Sequence, residues 1–199
     1  MGKADGFGPD RLNYFAILCP EIIDINFEHC TTIMCKKDNG NYIISHNEDD
    51  DYKEKLINKP ATPGSHHFFK GGLLFHIYSV TKNAIAICDL YPNLNVDKDL
   101  IVFEALVHDI GKCNNFNDFS DSENYNSING NSMDLLGHSY EGAHIVENYL
   151  KNYDIDEQFK NQVIHMIGSH MNEYSEWGAL VLPKMLEVII INYADSMDA

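Results

Sequence analysis

Six residues in this sequence lie at the edges of apolar helical stripes: His76, His108, Asp109, His138, His170 and Asp195. In the stretch EALVHDIGKCNNF, His108 continues the apolar spacing of Ile101 and Ala105. Asp195 follows Ile191 by four residues inside the apolar run MLEVIIINYAD. A single histidine at a helix edge is most often structural, but a buried carboxylate needs a cation, because burying an unpaired charge costs several kcal/mol. The shared pattern therefore predicts a metal centre between helices.

The types of these side chains indicate which ion they would hold. Imidazole and carboxylate ligands together suit Mn, Fe, Zn or Ni. Sites for Mg or Ca are built from hard oxygen ligands and rarely use several histidines. The sequence therefore predicts a divalent transition metal as the cofactor.

Hydrophobic periodicity predicts the helices that carry these residues. One helix begins at Gly72 and stops before Pro92, and a second ends near Asp109 with Gly111 as its C-terminal cap. Between them and the later helices, residues 114–133 contain seven asparagines and read as a long loop. The predicted helices after Pro92 cover about residues 99–109, 138–151, 156–169 and 184–197. The fold class is therefore mainly α.

Residues 1–59 read as a separate short segment before a main domain over residues 60–199. Residues 9–19 have the pattern of a short helix, and the stretch TTIMCKKDNGNYIISH predicts a β-hairpin that turns at residues 38–41. The acidic run 48–51 is expected to be a solvated loop. The Pro- and Gly-rich stretch NKPATPGSHHFFKGG then connects this segment to the main domain.

Composition limits the function classes. The net charge of −16 argues against a broad grip on a long polyanion. However, residues 59–112 contain five lysines and five acidic residues, so the whole negative excess lies outside this segment. The charge therefore does not argue against phosphate chemistry. No apolar run reaches the roughly 18–20 residues of a membrane span. Five cysteines without a CxxC pair indicate reduced thiols, which leads us to expect a cytoplasmic protein without a membrane partner.

Five ordered blocks carry a resemblance to a known family: HHFFKGGLLFHIYSV, ALVHDIGK, LLGHSYEGAHIV, HMIGSH and VIIINYADSMDA. They resemble the HD-domain superfamily of metal-dependent phosphohydrolases, and within it the YhaM type of 3′→5′ exoribonuclease, over about residues 60–199. An HD dipeptide alone is a weak signal, whereas five blocks in order are a strong one. Two features depart from that type. This chain has Met171 where the family pattern has a second adjacent histidine, and its N-terminal segment is shorter than the family's nucleic-acid-binding OB domain.

The resemblance implies a helical HD-domain bundle and roles for the metal ligands. His76, His108, Asp109 and Asp195 would hold one ion, and Asp109 would bridge to a second ion bound by His138 and His170. A carboxylate shared in this way can hold two ions about 3.5–4 Å apart, an arrangement that stabilises in-line displacement at phosphorus. Mn²⁺ is the expected metal, with Fe, Zn and Ni as alternatives.

Other residues have candidate roles toward the substrate. Asp109 and Lys112 are the catalytic candidates, with Lys112 paired to a phosphate oxygen; an ordinary charge at a helix C-terminus is the alternative for Lys112. His66 and His67 are candidates to line the pocket because they closely precede His76 in the sequence. The alternative is that both are exposed loop histidines without a role in the site. Further candidates near the substrate are Glu173 and Trp177 at the entrance, and Phe116, Phe119 and Tyr125 for base stacking.

Three functions follow from the sequence. The leading one is a metal-dependent phosphodiesterase that acts on RNA or short oligonucleotides and releases 5′-monophosphates from a 3′ end. The second keeps the metals but takes a nucleotide, a dNTP or a cyclic (oligo)nucleotide, which the strong acidity and the short N-terminal segment favour. The third is a non-catalytic HD sensor module. A homo-oligomer is compatible with all three.

Overall fold

The computed structural model describes residues 31–36, 42–47, 50–117, 119, 131–174 and 178–199. Two strands, β1 and β2, precede a series of helices, α1 to α8. In chain order these elements are β1 Thr31–Lys36, β2 Tyr42–Asn47, α1 Asp50–Asn58, α2 Gly72–Leu90, α3 Lys98–Val107, α4 Lys112–Asn115, α5 Asn131–Leu135, α6 Gly137–Leu150, α7 Glu157–Ser169 and α8 Leu186–Ser196. The predicted mainly helical fold is confirmed for the described residues from Asp50 onward.

Helix α2 is the central packing element of the domain. Its buried residues recur at helical spacing, with Leu73, Ile77, Val80 and Ala84 on one stripe. This stripe packs against α3 and α8, so burial of one apolar face holds these three helices together. The helix ends at Leu90, two residues before Pro92, because proline cannot continue the hydrogen-bond pattern.

The remaining main-domain helices begin and end close to the predicted positions. The Asp97 side chain accepts a hydrogen bond of 3.0 Å from the Leu100 amide and caps α3. Asp156 caps α7 in the same way, through a 3.1 Å hydrogen bond from the Phe159 amide. Helices α6 and α7 pack side by side, and α3 also contacts α7 and α8. The five helices α2, α3, α6, α7 and α8 therefore meet around one interior region.

Gly111 has a different role from the one predicted. The prediction of a C-terminal helix cap at this glycine is wrong, because its backbone is right-handed (φ −59°) and it stands immediately before α4. A Cβ atom here would collide with the carbonyl oxygen of His138 and with the amide nitrogen of Gly142. The absence of a side chain therefore allows the turn after α3 to approach the backbone of α6.

The segment before the connector is only partly described. The predicted helix over residues 9–19 and the turn over residues 38–41 lie outside the described residues. Strands β1 and β2 pair antiparallel, from Thr31 with Asn47 to Lys36 with Tyr42. Because the turn that would join them is not described, the β-hairpin stays a prediction. The division of the chain at residues 59 and 60 also stays a prediction.

Two predicted loops are partly helical. The prediction of a loop over residues 48–51 is wrong at its end, because α1 begins at Asp50. Acidic residues in the first turn of a helix interact favourably with its dipole, which is consistent with this start. The predicted loop over residues 114–133 is likewise shorter, since α4 extends to Asn115 and α5 begins at Asn131. None of the helices in the described ranges is both long and apolar enough to cross a membrane.

Glu104 in α3 is a buried acid that the sequence analysis did not single out. It is 0% exposed, and neither carboxyl oxygen has a hydrogen-bond partner within the part of the chain that the structure describes. Burial raises the pKa of this carboxyl well above its ordinary value. The folded protein therefore holds a proton that the unfolded chain releases as the pH rises above about 4.5, so Glu104 reduces the stability progressively above that pH.

We expect Glu104→Met to stabilise the protein at pH 8. The gain should be about 1–3 kcal/mol in the free energy of unfolding, because an unpaired buried polar group is replaced by an apolar one of similar size. The gain should shrink toward pH 4.5, where only about half of the unfolded chains carry this carboxyl in its ionised form. Denaturant unfolding of wild type and variant at both pH values measures this difference. Identical pH dependence of the two proteins would contradict the assignment.

Candidate metal centre

The five central helices bring all six predicted metal ligands to one place. His76 lies in α2, His108 and Asp109 follow α3, His138 lies in the first turn of α6, His170 follows α7, and Asp195 lies in the last turn of α8. The first five are each no more than 3% exposed, and the Asp195 side chain is 18% exposed. Two groups of donors that could hold an ion share Asp109: one with His76 and His108, the other with His138 and His170.

The two oxygens of Asp109 face different pairs of histidines. Oδ2 lies 3.2 Å from His76 Nε2 and 3.6 Å from His108 Nε2. Oδ1 lies 3.6 Å from His138 Nε2 and 3.8 Å from His170 Nε2. One carboxylate therefore stands between two pairs of imidazole nitrogens, as expected for a group that is shared by two ions.

Backbone carbonyls orient two of the imidazole rings. His108 Nδ1 donates to the Ala105 carbonyl at 2.9 Å, and His170 Nδ1 donates to the Ile167 carbonyl at 2.7 Å. A carbonyl oxygen only accepts hydrogen bonds, so in the neutral ring the proton sits on Nδ1 and the lone pair on Nε2. Each ring thus directs its unprotonated nitrogen toward the centre, which is the usual arrangement of a metal-binding histidine.

The imidazole nitrogens also approach one another in pairs. His76 Nε2 and His108 Nε2 are 3.4 Å apart, and His138 Nε2 and His170 Nε2 are 3.3 Å apart. Burial lowers the pKa of His108 to about 4 and that of His138 to about 3. These two rings are therefore neutral at pH 7, and a neutral imidazole is the form that ligates a metal.

Carboxylates surround His76 on both ring nitrogens. Asp195 Oδ1 lies 3.2 Å from Nε2, and Asp198 Oδ2 lies 2.7 Å from Nδ1. Burial lowers the pKa of His76, but hydrogen bonds to Asp109, Asp195 and Asp198 outweigh it and raise the pKa to about 10. The position therefore strongly favours positive charge, which fits a bound cation.

The aspartates of the centre are ionised. Burial raises the pKa of Asp109, but the Lys112 ammonium and the surrounding imidazoles outweigh it and hold this pKa well below its ordinary value. Burial raises the pKa of Asp195, but its hydrogen bond to His76 outweighs this effect and holds that pKa below its ordinary value. The neutral imidazoles of His108 and His138, together with ionised carboxylates, match the donor set that a divalent transition metal requires. The residues present therefore fit such an ion.

Lys112 lies closer to the ligands than the sequence suggested. Its Nζ is 2.5 Å from Asp109 Oδ2, and the residue is only 8% exposed. Residues 109–115 turn tightly through successive backbone hydrogen bonds, which places Lys112 beside Asp109. The Lys112 ammonium thus lies inside the centre. It could contact a substrate phosphate that approaches Asp109.

The three candidates for substrate contact are placed differently. The His66 ring lies 5.2 Å from the His76 ring, centroid to centroid, so it borders the centre. His67 contacts Asp198, with Nε2 2.8 Å from Oδ2. Glu173 is exposed, and among the described residues nothing connects its side chain to the centre. The other entrance candidate, residue 177, and the stacking candidate at residue 125 lie outside the described residues.

The aromatic candidates and the remaining histidines have packing roles. Phe116 is buried in a small cluster with Met133, against which Phe119 packs. Phe116 and Met133 therefore bring together the described residues that precede and follow residues 120–130. His144 is exposed and bonds to Asn148, and His165 Nε2 accepts a hydrogen bond from the Lys184 amide.

Asp198 contacts His76 at the edge of the centre and was not among the residues predicted from the sequence. It follows Asp195 by three residues in the stretch YADSMDA, and in a helical turn this spacing places two side chains on one face. This spacing can be seen in the sequence. Its significance cannot, because nothing in the sequence predicts a partner for Nδ1 of His76.

We expect wild-type protein to bind two divalent ions per chain and Asp109→Ala to lose both. His170→Ala should lose only the ion on the His138 side, because Oδ2 of Asp109 and its two histidines remain. Elemental analysis after dialysis against Mn²⁺ gives these ratios, with His144→Ala as a matched exposed control that keeps both ions. Full occupancy of a folded Asp109→Ala variant would contradict the bridging role.

Comparisons with known proteins agree with this geometry. The profile of the HD domain family matches residues 73–199. The 3′-5′ exoribonuclease YhaM of Bacillus velezensis is 33% identical over 148 residues, which are 74% of this chain and 45% of that protein. The protein of the same name from Bacillus subtilis is 32% identical over the same shares.

A solved structure also matches. It is a predicted HD superfamily hydrolase from an uncultured Thermotogales bacterium, with a TM-score of 0.49 and 21% identity, over 75% of this chain and 65% of that one. The chain spans about 45% of the length of the curated relatives it matches. The family match covers all six predicted ligands, from His76 to Asp195. The chain belongs to the HD domain family.

Proposed function

We propose that the protein is a metal-dependent phosphohydrolase that cleaves phosphodiester bonds in RNA or short oligonucleotides and releases 5′-monophosphates from a 3′ end. The observation that carries this proposal is the placement of Asp109, whose two oxygens face separate pairs of histidines. The relatives named 3′-5′ exoribonuclease support the choice of substrate class. Their additional length leaves that choice to experiment.

The described ligands divide into two sets. His76, His108 and Asp195 would hold one ion with Asp109 Oδ2, and His138 and His170 would hold the other with Oδ1. Mn²⁺ is the metal we propose, with Fe, Zn and Ni as alternatives for the same ligand types. Bound there, two divalent ions would supply Lewis-acid polarisation of a phosphoryl oxygen and a water of lowered pKa.

The protein's own side chains perform the remaining tasks. The ionised Asp109 keeps negative charge between the two sets of histidines, and burial strengthens its attraction for cations because water screens it weakly there. The Lys112 ammonium is held beside Asp109 Oδ2. A phosphoryl group that approaches Asp109 would meet this charge, so Lys112 can stabilise negative charge that develops on a phosphoryl oxygen.

The net charge of −16 favours a second candidate substrate. A long polyanion would be repelled by most of this chain, whereas a mononucleotide, a dNTP or a cyclic (oligo)nucleotide needs only the centre itself. These substrates use the same phosphate chemistry and the same ligands. Dependence of the rate on chain length distinguishes the two candidates.

We expect Mn²⁺-dependent shortening of 5′-labelled single-stranded RNA by one nucleotide at a time. Asp109→Asn should lower kcat/KM by about 10³-fold or more, because residues that act as one catalytic unit fail together. Lys112→Ala should lower kcat while the two-ion stoichiometry persists. Gel electrophoresis of oligonucleotides from two to twenty nucleotides, with chromatography of the products, measures both effects.

The same assay separates the alternatives. A rate that rises with chain length supports the exonuclease, and equal or faster turnover of nucleotides supports the second candidate. His144→Ala is the matched control, since this exposed histidine lies outside the centre. If no 5′-monophosphate is released from any single-stranded RNA or DNA, the exonuclease proposal is wrong.

A further inference from the structure

We propose that Asp198 and His67 are positioning residues that fix the tautomer and orientation of His76 for one of the two metal ions. His67 Nε2 and His76 Nδ1 both contact the same oxygen, Asp198 Oδ2, at 2.8 Å and 2.7 Å. The inference rests on the metal centre and not on the identity of the substrate.

The contact to Asp198 determines which nitrogen of His76 can ligate. A carboxylate oxygen accepts a hydrogen bond, so His76 keeps a proton on Nδ1 toward Asp198. An ion that displaces the other ring proton would therefore be ligated through the lone pair on Nε2. Nε2 is the atom that faces Asp109 and Asp195, each at 3.2 Å. His108 and His170 obtain the same tautomer from backbone carbonyls. For His76 the corresponding acceptor is the side chain of Asp198, which follows α8.

The end of α8 places the two carboxylates on opposite sides of this ring. Helix α8 ends at Ser196, and the Asp198 amide donates to the Asp195 carbonyl at 2.9 Å in the turn that follows. This turn directs Asp195 to Nε2 and Asp198 to Nδ1. The acceptor therefore contacts α2 through His76 and is joined to α8 through this turn.

The connector before α2 is built to bring His67 to Asp198. His67 has a left-handed backbone (φ 50°), which is unfavourable for a residue with a side chain and is found where surrounding structure imposes it. Its carbonyl accepts hydrogen bonds from the amides of Ala61 (3.2 Å) and Phe69 (2.9 Å). A Cβ atom on Gly72 would collide with that same carbonyl. The strained backbone, its hydrogen bonds and the glycine together fix the position of the His67 ring.

The distances favour hydrogen bonding over a further ion. His67, His76 and Asp198 form a third group of possible metal donors. However, separations of 2.7 and 2.8 Å between nitrogen and oxygen are those of direct hydrogen bonds. An ion that used these atoms would also take Nδ1 of His76 and so compete with the tautomer that directs Nε2 to Asp109. We therefore assign His67 and Asp198 the role of holding His76 in place as a metal ligand.

The test measures metal binding to the full chain, with Zn²⁺ as a diamagnetic probe. Asp198→Ala should weaken one of the two binding steps by about 10- to 100-fold, the range found when an outer hydrogen-bond partner of a ligand is removed. The other step, on the His138 and His170 side, should stay unchanged. Nitrogen-15 NMR of the histidine rings should show His76 losing its single Nδ1–H tautomer.

His67→Gln provides a second variant in case Asp198→Ala does not fold, and it should weaken the same step by a smaller factor. His144→Gln is its matched control, because it changes the same residue type at an exposed position outside the centre. Wild-type affinity at both steps in His67→Gln and Asp198→Ala would overturn the proposal. So would equal weakening by His144→Gln, or a stoichiometry of three ions.

These results separate this inference from the proposed function. Weakening of one binding step supports the positioning role even if no RNA is cleaved. RNA cleavage by a wild-type protein whose Asp198→Ala variant binds both ions normally would leave the proposed function intact and remove the positioning role.

Discussion

The shared carboxylate of Asp109 is the constraint on which the rest of the centre depends. A fully buried carboxylate is tolerated only where cationic or hydrogen-bonding groups surround it, since its desolvation is costly. Here the surrounding groups come from helices that are far apart in sequence: α2, the turn after α3, α6 and α7. Their imidazoles reach Asp109 only when the helices pack in one arrangement. The centre therefore exists only in the folded domain.

The packing around Asp109 explains features that otherwise look incidental. Gly111 allows the backbone after α3 to approach α6, which brings His138 within 3.6 Å of Asp109 Oδ1. The strained connector at His67 and the turn after α8 supply a hydrogen-bond acceptor to His76. These details lie outside the helices, yet each sets the position of a group that faces Asp109. Such sites accept local strain because the surrounding structure determines their geometry.

Electrostatics differ sharply between the two acidic residues at the end of α3. Asp109 is surrounded by Lys112 and imidazoles and stays ionised. Glu104 lies one helical turn before His108 in an apolar environment, and burial favours its protonated form. Two carboxyl groups in one short stretch thus have opposite protonation states because of their neighbours alone. Neither composition nor helical spacing distinguishes them.

The sequence by itself determined the helices and indicated the six candidate ligands, and the family resemblance implied that Asp109 is shared by two ions. Helical periodicity specifies the direction in which a side chain points from the axis of its helix. His76 and Asp195 could therefore be assigned to the inner edges of their helices. It carries no information about the distance to an atom on another helix. Only the tertiary structure showed the placement of Lys112 against Asp109, the close approach at Gly111 and the contact of His67 and His76 with one oxygen of Asp198. These contacts join residues by packing across the domain, and packing is decided by the whole set of helices together.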